Sequence, residues 1–276
     1  MLKRVKVVAV RENGKVDFLI VGTQKGGTTA LSAFLRQHAQ IFIPLVKEAH
    51  FFDMTRRYLA DAQGPCPYMT YHGLFETSKP GQLWGEATPI YMFLPFVADR
   101  IFRYNPTVKL IFLLRNPVER AFSAYKMERI REWDRWPFTL AVALEAFRLR
   151  LASGDLDDMR HPIRVNTYLS RGFYSMQVER FLRRFPRENC LFIKSEELLS
   201  EHDSVIPKIL CFLGVDPEVK IPAERISPDI KAPNAGISLS SGSKLNPLLA
   251  RVLALVYRRE RARLKRLTEI DFCNWN

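Results

Sequence analysis

The stretch that most constrains this chain runs from Val16 to Leu35, VDFLIVGTQKGGTTALSAFL. Asp17 to Val21 is a short apolar run rich in β-formers and reads as a buried strand. Gly22 to Gly27 is a turn dense in glycine. From Thr28 the period changes: Leu31, Phe34, Leu35 and His38 recur at i, i+3, i+4 and i+7, one face of a helix. Strand, glycine turn, helix start is a geometry that turns unpaired backbone N–H groups and the positive end of a helix toward an anion. Lys25, Gly26, Gly27, Thr28 and Thr29 are therefore candidate phosphate-binding residues. The competing reading is a glycine turn that merely joins strand to helix. The order is not that of a Mg-nucleotide loop, where lysine follows the second glycine beside a metal-holding Ser/Thr. Here Lys25 comes before Gly26-Gly27.

Downstream, Ile41 to Pro44 predicts a second short strand that delivers Lys47, Glu48 and His50 at its C-terminal end. In open α/β sheets that edge is where ligands collect. Met54 to Pro80 is aromatic and turn-rich without clear period, and reads as a long excursion. Gln82 to Tyr91 reads as a strand ending in a polar corner, and Ile90 to Tyr104 as a helix. Lys109 to Leu114 (KLIFLL) is a continuous apolar run, as expected for a central parallel strand. Asn116, Pro117 and Glu119 then fit the N-cap, N1 and N3 positions of a helix, a variant capping box. Ser123 stands seven residues beyond the cap on the same helix face. Either Arg115 and Ser123 converge on one anion, or Arg115 pairs with a surface carboxylate and Ser123 is incidental.

The remainder alternates in the same way. A helix near Thr139–Ala152 is followed by an amphipathic one marked by Tyr174, Val178, Phe181, Leu182 and Phe185. Strand Cys190–Lys194, a helix from about Asp203 to Leu213 stopped by Gly214, and a helix opening at Asn246-Pro247 complete the pattern. Ile221 to Ser243 reads as a long irregular loop, of a kind that is often functional. The whole predicts an α/β fold: a single P-loop-like domain over 1–276, with a central, mainly parallel sheet flanked by helices.

A net charge of +13 calls for an anionic partner. The run Arg258–Arg266 is read first as a solvated end of a helix matched to its dipole, and only second as a binding patch. The apolar run within Met1–Val10 is too short for a signal-peptide core or a membrane span, so a soluble, cytoplasmic protein without a transmembrane segment is expected. Cys66, Cys190, Cys211 and Cys273 show no CxxC spacing and no histidine partners, so no metal site is expected. Free thiols in a reducing compartment are expected, with Cys190 and Cys211 buried.

GTQKGGTTAL resembles the 5′-phosphosulfate loop of sulfotransferases that use 3′-phosphoadenosine 5′-phosphosulfate (PAPS). KEAHFFD, at Lys47 to Asp53, resembles the segment that follows it in the heparan-sulfate-type branch. LLRNPVERAFSAY resembles the family's 3′-phosphate motif, and RGFY (Arg171 to Tyr174) the segment ahead of its next helix. KAPNAG, at Lys231 to Gly236, stands where the family's loop closes over PAPS, and DFCNW resembles its aromatic terminus. The resemblance implies PAPS as donor, 3′-phosphoadenosine 5′-phosphate (PAP) as product, and no metal. It implies Glu48 as general base, with His50 and Asp53 also matching, and Lys25 as stabiliser of the leaving phosphate. Arg115 and Ser123 become the 3′-phosphate ligands, with Tyr174, Lys231, Asn234, Ala235 and Gly236 helping to hold the nucleotide. Two anion sites at helix starts on neighbouring strands suit a donor charged at two places.

One departure stands out. In GEATP (Gly85 to Pro89), Ala87 occupies the place of an active-site lysine in the animal heparan enzymes. It suggests a bacterial relative with another acceptor: a hydroxyl or amine of a glycan, lipid or secondary metabolite. Two rivals remain. A P-loop kinase or NTPase needs lysine after the glycines and an acidic Mg²⁺ ligand at a strand end. A non-catalytic basic module binding sulfated glycan or nucleic acid explains the charge but not two helix-start anion motifs. No specific nucleic-acid partner is expected.

Overall fold

A computed structural model describes residues 14–223 and 245–275. Lys231, Asn234, Ala235 and Gly236 lie outside these residues. Strands β1 (Phe18–Gly22), β2 (Ile41–Phe42), β3 (Leu83–Ala87), β4 (Lys109–Leu114) and β5 (Cys190–Lys194) form one sheet in the order β2-β3-β1-β4-β5. Every pairing is parallel. Helix α1 (Thr28–Leu35) follows β1, and α2 (Thr55–Ala62) and the single turn α3 (Met69–His72) follow β2. Helix α4 (Val97–Tyr104) precedes β4, which runs into α5 (Pro117–Ile130). Short helices α6 (Phe138–Ala143), α7 (Glu145–Arg150) and α8 (Pro162–Val165) lead to α9 (Tyr174–Leu182) ahead of β5. Then come α10 (Glu197–Ser200), α11 (His202–Leu213), α12 (Pro247–Val256) and α13 (Arg258–Thr268).

The apolar runs become central strands because both faces of the sheet are covered. Side chains alternate across a strand. Leu19, Val21, Leu110, Phe112 and Leu114 enter one core with α4, α9 and α13; Phe18, Ile20, Ile111 and Leu113 enter the other with α1 and α11. β3 packs so tightly beside Phe18 that a Cβ at Gly85 would lie 2.0 Å from its ring. A third, smaller core joins α5, α6 and α12.

Several expectations shift for physical reasons. The Met54–Pro80 excursion contains α2 and α3; α2 is short and buries only Tyr58, so few apolar residues mark it in the sequence. Helix formation after Ile90 waits until Val97, because the Met92 amide donates to the Val21 carbonyl (2.8 Å) and pulls that segment into turns against β1. The Thr139–Ala152 helix is broken at Leu144, where the Glu145 carboxylate accepts from the Leu169 and Ser170 amides (2.6 and 2.7 Å). The helix opening at Asn246 breaks at Tyr257, whose buried hydroxyl donates to the Leu169 carbonyl (2.8 Å).

Arg258, Arg259, Lys265 and Arg266 of the basic run are exposed, as a solvated helix end would be, while other members of the run tie the helix to its neighbours. Glu260 accepts from the Ser175 hydroxyl (2.8 Å), Arg263 pairs with Glu179 (2.7 Å) and Lys265 with Asp271 (2.9 Å). All four cysteines are free, but Cys211 is exposed rather than buried, because α11 turns Ile209, Leu210 and Leu213 inward instead. Among the described residues, no helix is long and apolar enough to cross a membrane. Nor do any three His, Cys, Asp or Glu side chains among them gather as a metal site.

Candidate active site

The chain winds outward in one direction from β1 to β2 and β3 and in the other to β4 and β5. Such a reversal opens a crevice at the C-terminal ends of the strands. Here it is a cavity of about 730 Å³ lined by Lys25, Thr28, Glu48, His50, Arg115 and Ser123, among others. The two anion motifs and the expected base therefore share one space.

The loop after β1 forms one wall. The Thr23 amide donates to the Leu113 carbonyl (2.8 Å), fastening the loop to β4, and the Gly26 amide donates back to Thr23 (2.8 Å). A Cβ on Gly26 would stand 2.8 Å from the Leu113 carbonyl oxygen, so this turn admits only glycine. Lys25 and Gly27 take left-handed φ values of 69° and 91°. The Lys25 carbonyl accepts from Arg115 (3.1 Å) and the Gly26 carbonyl from the Ser195 hydroxyl (2.7 Å). With its carbonyls tied back, the loop offers donors. The first amides of α1 have no intrahelical acceptor, and no side chain caps them. Burial lowers the Lys25 pKa, and the neighbouring charges of Lys47, Arg131 and Arg115 lower it further. Cations crowded together in this way are the electrostatic signature of a site for a polyanion.

The second motif sits at the end of β4. The Asn116 side chain caps α5, accepting from the Val118 and Glu119 amides (3.0 and 3.5 Å). The reciprocal half of the capping box is absent: the Asn116 amide donates to Glu196 (3.0 Å), and Glu119 pairs with Arg115 instead (3.2 Å). Arg115 thus has the carboxylate partner that one reading foresaw and, beside Ser123, the cavity position foreseen by the other. Tyr174 does not reach the cavity surface. It is fully buried, and its hydroxyl donates to the Arg115 carbonyl (2.9 Å), a strut beneath the motif.

Opposite stands a chain of alternating charge. Glu48 Oε2 lies 3.4 Å from His50 Nε2, and His50 Nδ1 lies 2.9 Å from Asp53 Oδ2. Arg164, itself buried, donates to Asp53 Oδ2 (2.6 Å) and to its carbonyl (2.9 Å). Burial alone would lower the His50 pKa, but the two carboxylates bring it up to about 9, so the imidazole is cationic at neutral pH. Burial would raise the Glu48 pKa, yet His50 and then Lys47 outweigh it and hold it below the ordinary value. Glu48 is an ionised acceptor poised in the cavity. Glu86 differs: it is buried beneath, bonded to Tyr71 (3.1 Å) and Thr88, and burial pushes it up to about 7. Thr88 in turn accepts from the His50 amide (3.4 Å), so Glu86 supports the site from behind.

Sequence reasoning missed Arg164, Arg131 and Glu128 on the cavity wall, because they lie on helical segments remote from any strand end. It also missed the reason for Arg171 in RGFY. That guanidinium is buried, donating to Gln24 of the loop, to Thr167 and to the Arg164 carbonyl (2.6 Å each for the last two). It joins the loop after β1 to the segment that holds Asp53.

Residues 15–231 match the sequence profile of the family described as the sulfotransferase domain. The chain is 34% identical over 198 residues to heparan sulfate glucosamine 3-O-sulfotransferase 6 of Mus musculus, covering 71% of this chain and 52% of that protein. It is 32% identical over 197 residues to heparan sulfate glucosamine 3-O-sulfotransferase 3B1 of Homo sapiens, covering 71% and 45%. The chain thus spans about half the length of the curated relatives it matches. Its structure resembles the crystal structure of a sulfotransferase from Alicyclobacillus acidocaldarius, with a TM-score of 0.77, 29% identity, and coverage of 95% of this chain and 99% of that one.

Proposed function

The chain belongs to the sulfotransferase domain family, and from that premise we propose that it moves a sulfuryl group from PAPS to a hydroxyl or amine acceptor. The observation that carries this reading is spatial. Two helix-start anion motifs, on adjacent strands β1 and β4, open on one cavity that also holds an ionised carboxylate. Residues 1–276 act together as one catalytic domain in this proposal.

Lys25 and the first amides of α1 bind the 5′-phosphosulfate; Arg115 and Ser123 bind the 3′-phosphate; Tyr174 holds Arg115 in place. Glu48 takes the acceptor's proton as the acceptor oxygen or nitrogen bonds to sulfur. The bond from sulfur to the 5′-phosphate oxygen breaks, its electron pair stays on that oxygen, and Lys25 stabilises the charge there. His50, fixed by Asp53 and Arg164, keeps Glu48 ionised before the reaction.

A P-loop kinase fits poorly, since β4 is followed by Arg115 and the carboxylate of β3, Glu86, is buried in hydrogen bonds. A purely anion-binding module leaves the Glu48–His50–Asp53 chain without a task. Heparan-type glycan is one candidate acceptor, by analogy with the relatives. Ala87 in the lysine position favours a different acceptor, whether another glycan, a lipid or a secondary metabolite. Thermal melting with PAP, ATP–Mg and heparin tests the proposal: a large upward shift with PAP alone is expected, and a shift with heparin but none with PAP would overturn it.

The same proposal fixes a pattern of nucleotide discrimination. Arg115→Ala removes a charge-assisted bond worth about 1.5–3 kcal/mol, so PAP affinity is expected to fall roughly 10- to 150-fold. Adenosine 5′-phosphosulfate, which lacks the 3′-phosphate, should lose far less, and Ser123→Ala should show the same bias on a smaller scale. Equal losses for both nucleotides, measured by calorimetry, would remove these two residues from the 3′-phosphate site.

A further inference from the structure

Among the described residues, five Lys and Arg side chains line the cavity beside the His50 imidazolium: Lys25, Lys47, Arg115, Arg131 and Arg164. Four have evident tasks or partners. Lys25 belongs to the loop, Arg115 to its carbonyl and Glu119, Arg164 to Asp53, and Arg131 leans on the Trp133 ring (5.0 Å) and on Glu128 (3.4 Å). Lys47 is different. Its side chain is 45% exposed, and among the described residues its ion-pair partner is Glu48, at 3.7 Å. That distance is beyond hydrogen-bonding range, so the ammonium stands beside the base with its donors uncommitted.

The local chain explains this placement. Leu45 and Val46 are 85% and 61% exposed at the rim, whereas Ala49 is buried. Glu48 takes a left-handed φ of 56°, which turns the chain inward between them. Lys47 is the last residue before that turn, so it stays at the rim while Glu48 enters the cavity. It is also the charge that most lowers the Lys25 pKa, which places both ammonium groups on one volume.

The geometry points to Lys47 as a ligand of the transferring sulfuryl group, set between the base and the 5′-phosphate loop. This rests on the PAPS reading above. During transfer, the acceptor–sulfur bond forms as the bond from sulfur to the phosphate oxygen breaks. The electron pair goes to that oxygen and the acceptor proton to Glu48; Lys47 keeps its own proton throughout. Two anions, the Glu48 carboxylate and the sulfuryl oxygens, must approach from opposite sides of the acceptor atom, and their repulsion opposes the step. A cation between them offsets it. When Glu48 becomes neutral, the charge of Lys47 is left to the new sulfate ester or sulfamate.

The test needs no acceptor. PAP and PAPS are titrated by calorimetry into the wild-type protein, Lys47→Gln and Lys47→Arg. PAP has no sulfuryl group, so its affinity should stay within about threefold, while Lys47→Gln should weaken PAPS by roughly tenfold or more. Lys47→Arg should recover most of that loss. Equal losses for PAP and PAPS would assign Lys47 to the phosphates, and no loss for either would remove it from the donor site. Wild-type protein that binds neither nucleotide would instead overturn the PAPS reading itself, an outcome distinct from both.

Discussion

Lys25→Ala is expected to leave a folded protein whose turnover of PAPS is slower by at least about 10²–10³-fold, the scale of losing one preorganised donor at a developing oxyanion. The reasoning starts from the loop. Lys25 holds a left-handed φ of 69°, so alanine inherits the same backbone strain and no new one. The fastening of the loop uses backbone groups, the Lys25 carbonyl to Arg115 and the Thr23 amide to Leu113, and these survive the substitution. What disappears is a cation beside the oxygen that receives the electron pair. Relief from the neighbouring charges of Lys47, Arg131 and Arg115 offsets part of the lost ground-state attraction, so PAP affinity should fall less than the rate. Single-turnover assays with labelled PAPS, alongside a melting curve, check this. An unimpaired rate in a folded variant would remove the core of the mechanism.

The parts of this site that were legible in sequence are those whose geometry is local. A glycine turn between an apolar run and a helical period announces the loop after β1 because each residue's role depends on its near neighbours. Asn116-Pro117 announces α5 in the same way, and its cap forms. Where a role depends on a distant partner, the sequence is silent. Glu119 has the spacing of a capping box, but Arg115 and Glu196 compete for the groups involved, and tertiary contacts win. Arg164 reaches Asp53 across 111 residues of chain, and Arg171 reaches Gln24 across 147. No periodicity encodes such pairs. The resemblance of RGFY flagged Tyr174 as a nucleotide contact, whereas its burial makes it a support for Arg115. Cys211 was misplaced because an apolar context on a helix does not reveal which face turns outward.

The remaining prediction separates chemistry from binding, and it rests on Glu48. A general base acts on the acceptor's proton in the transition state and need not touch the nucleotide. Glu48→Gln keeps the size of the side chain and an oxygen facing His50, but it cannot take that proton. PAP affinity should stay within about threefold while kcat falls by roughly 10²–10⁴, the range for a lost general base. His50→Ala should cost less in rate and should instead move the pH profile. The imidazolium, held cationic with its pKa near 9, is what keeps the Glu48 pKa low. Without it, the carboxyl pKa rises, so the acid limb of the rate profile should shift to higher pH, with the plateau at high pH largely kept. Full kcat in Glu48→Gln together with a lost rate in His50→Ala would transfer the role of base to His50. If neither change mattered, the proton would leave by another group. Glu86 would then be the next carboxylate to test, although Tyr71 and Thr88 now occupy both of its oxygens.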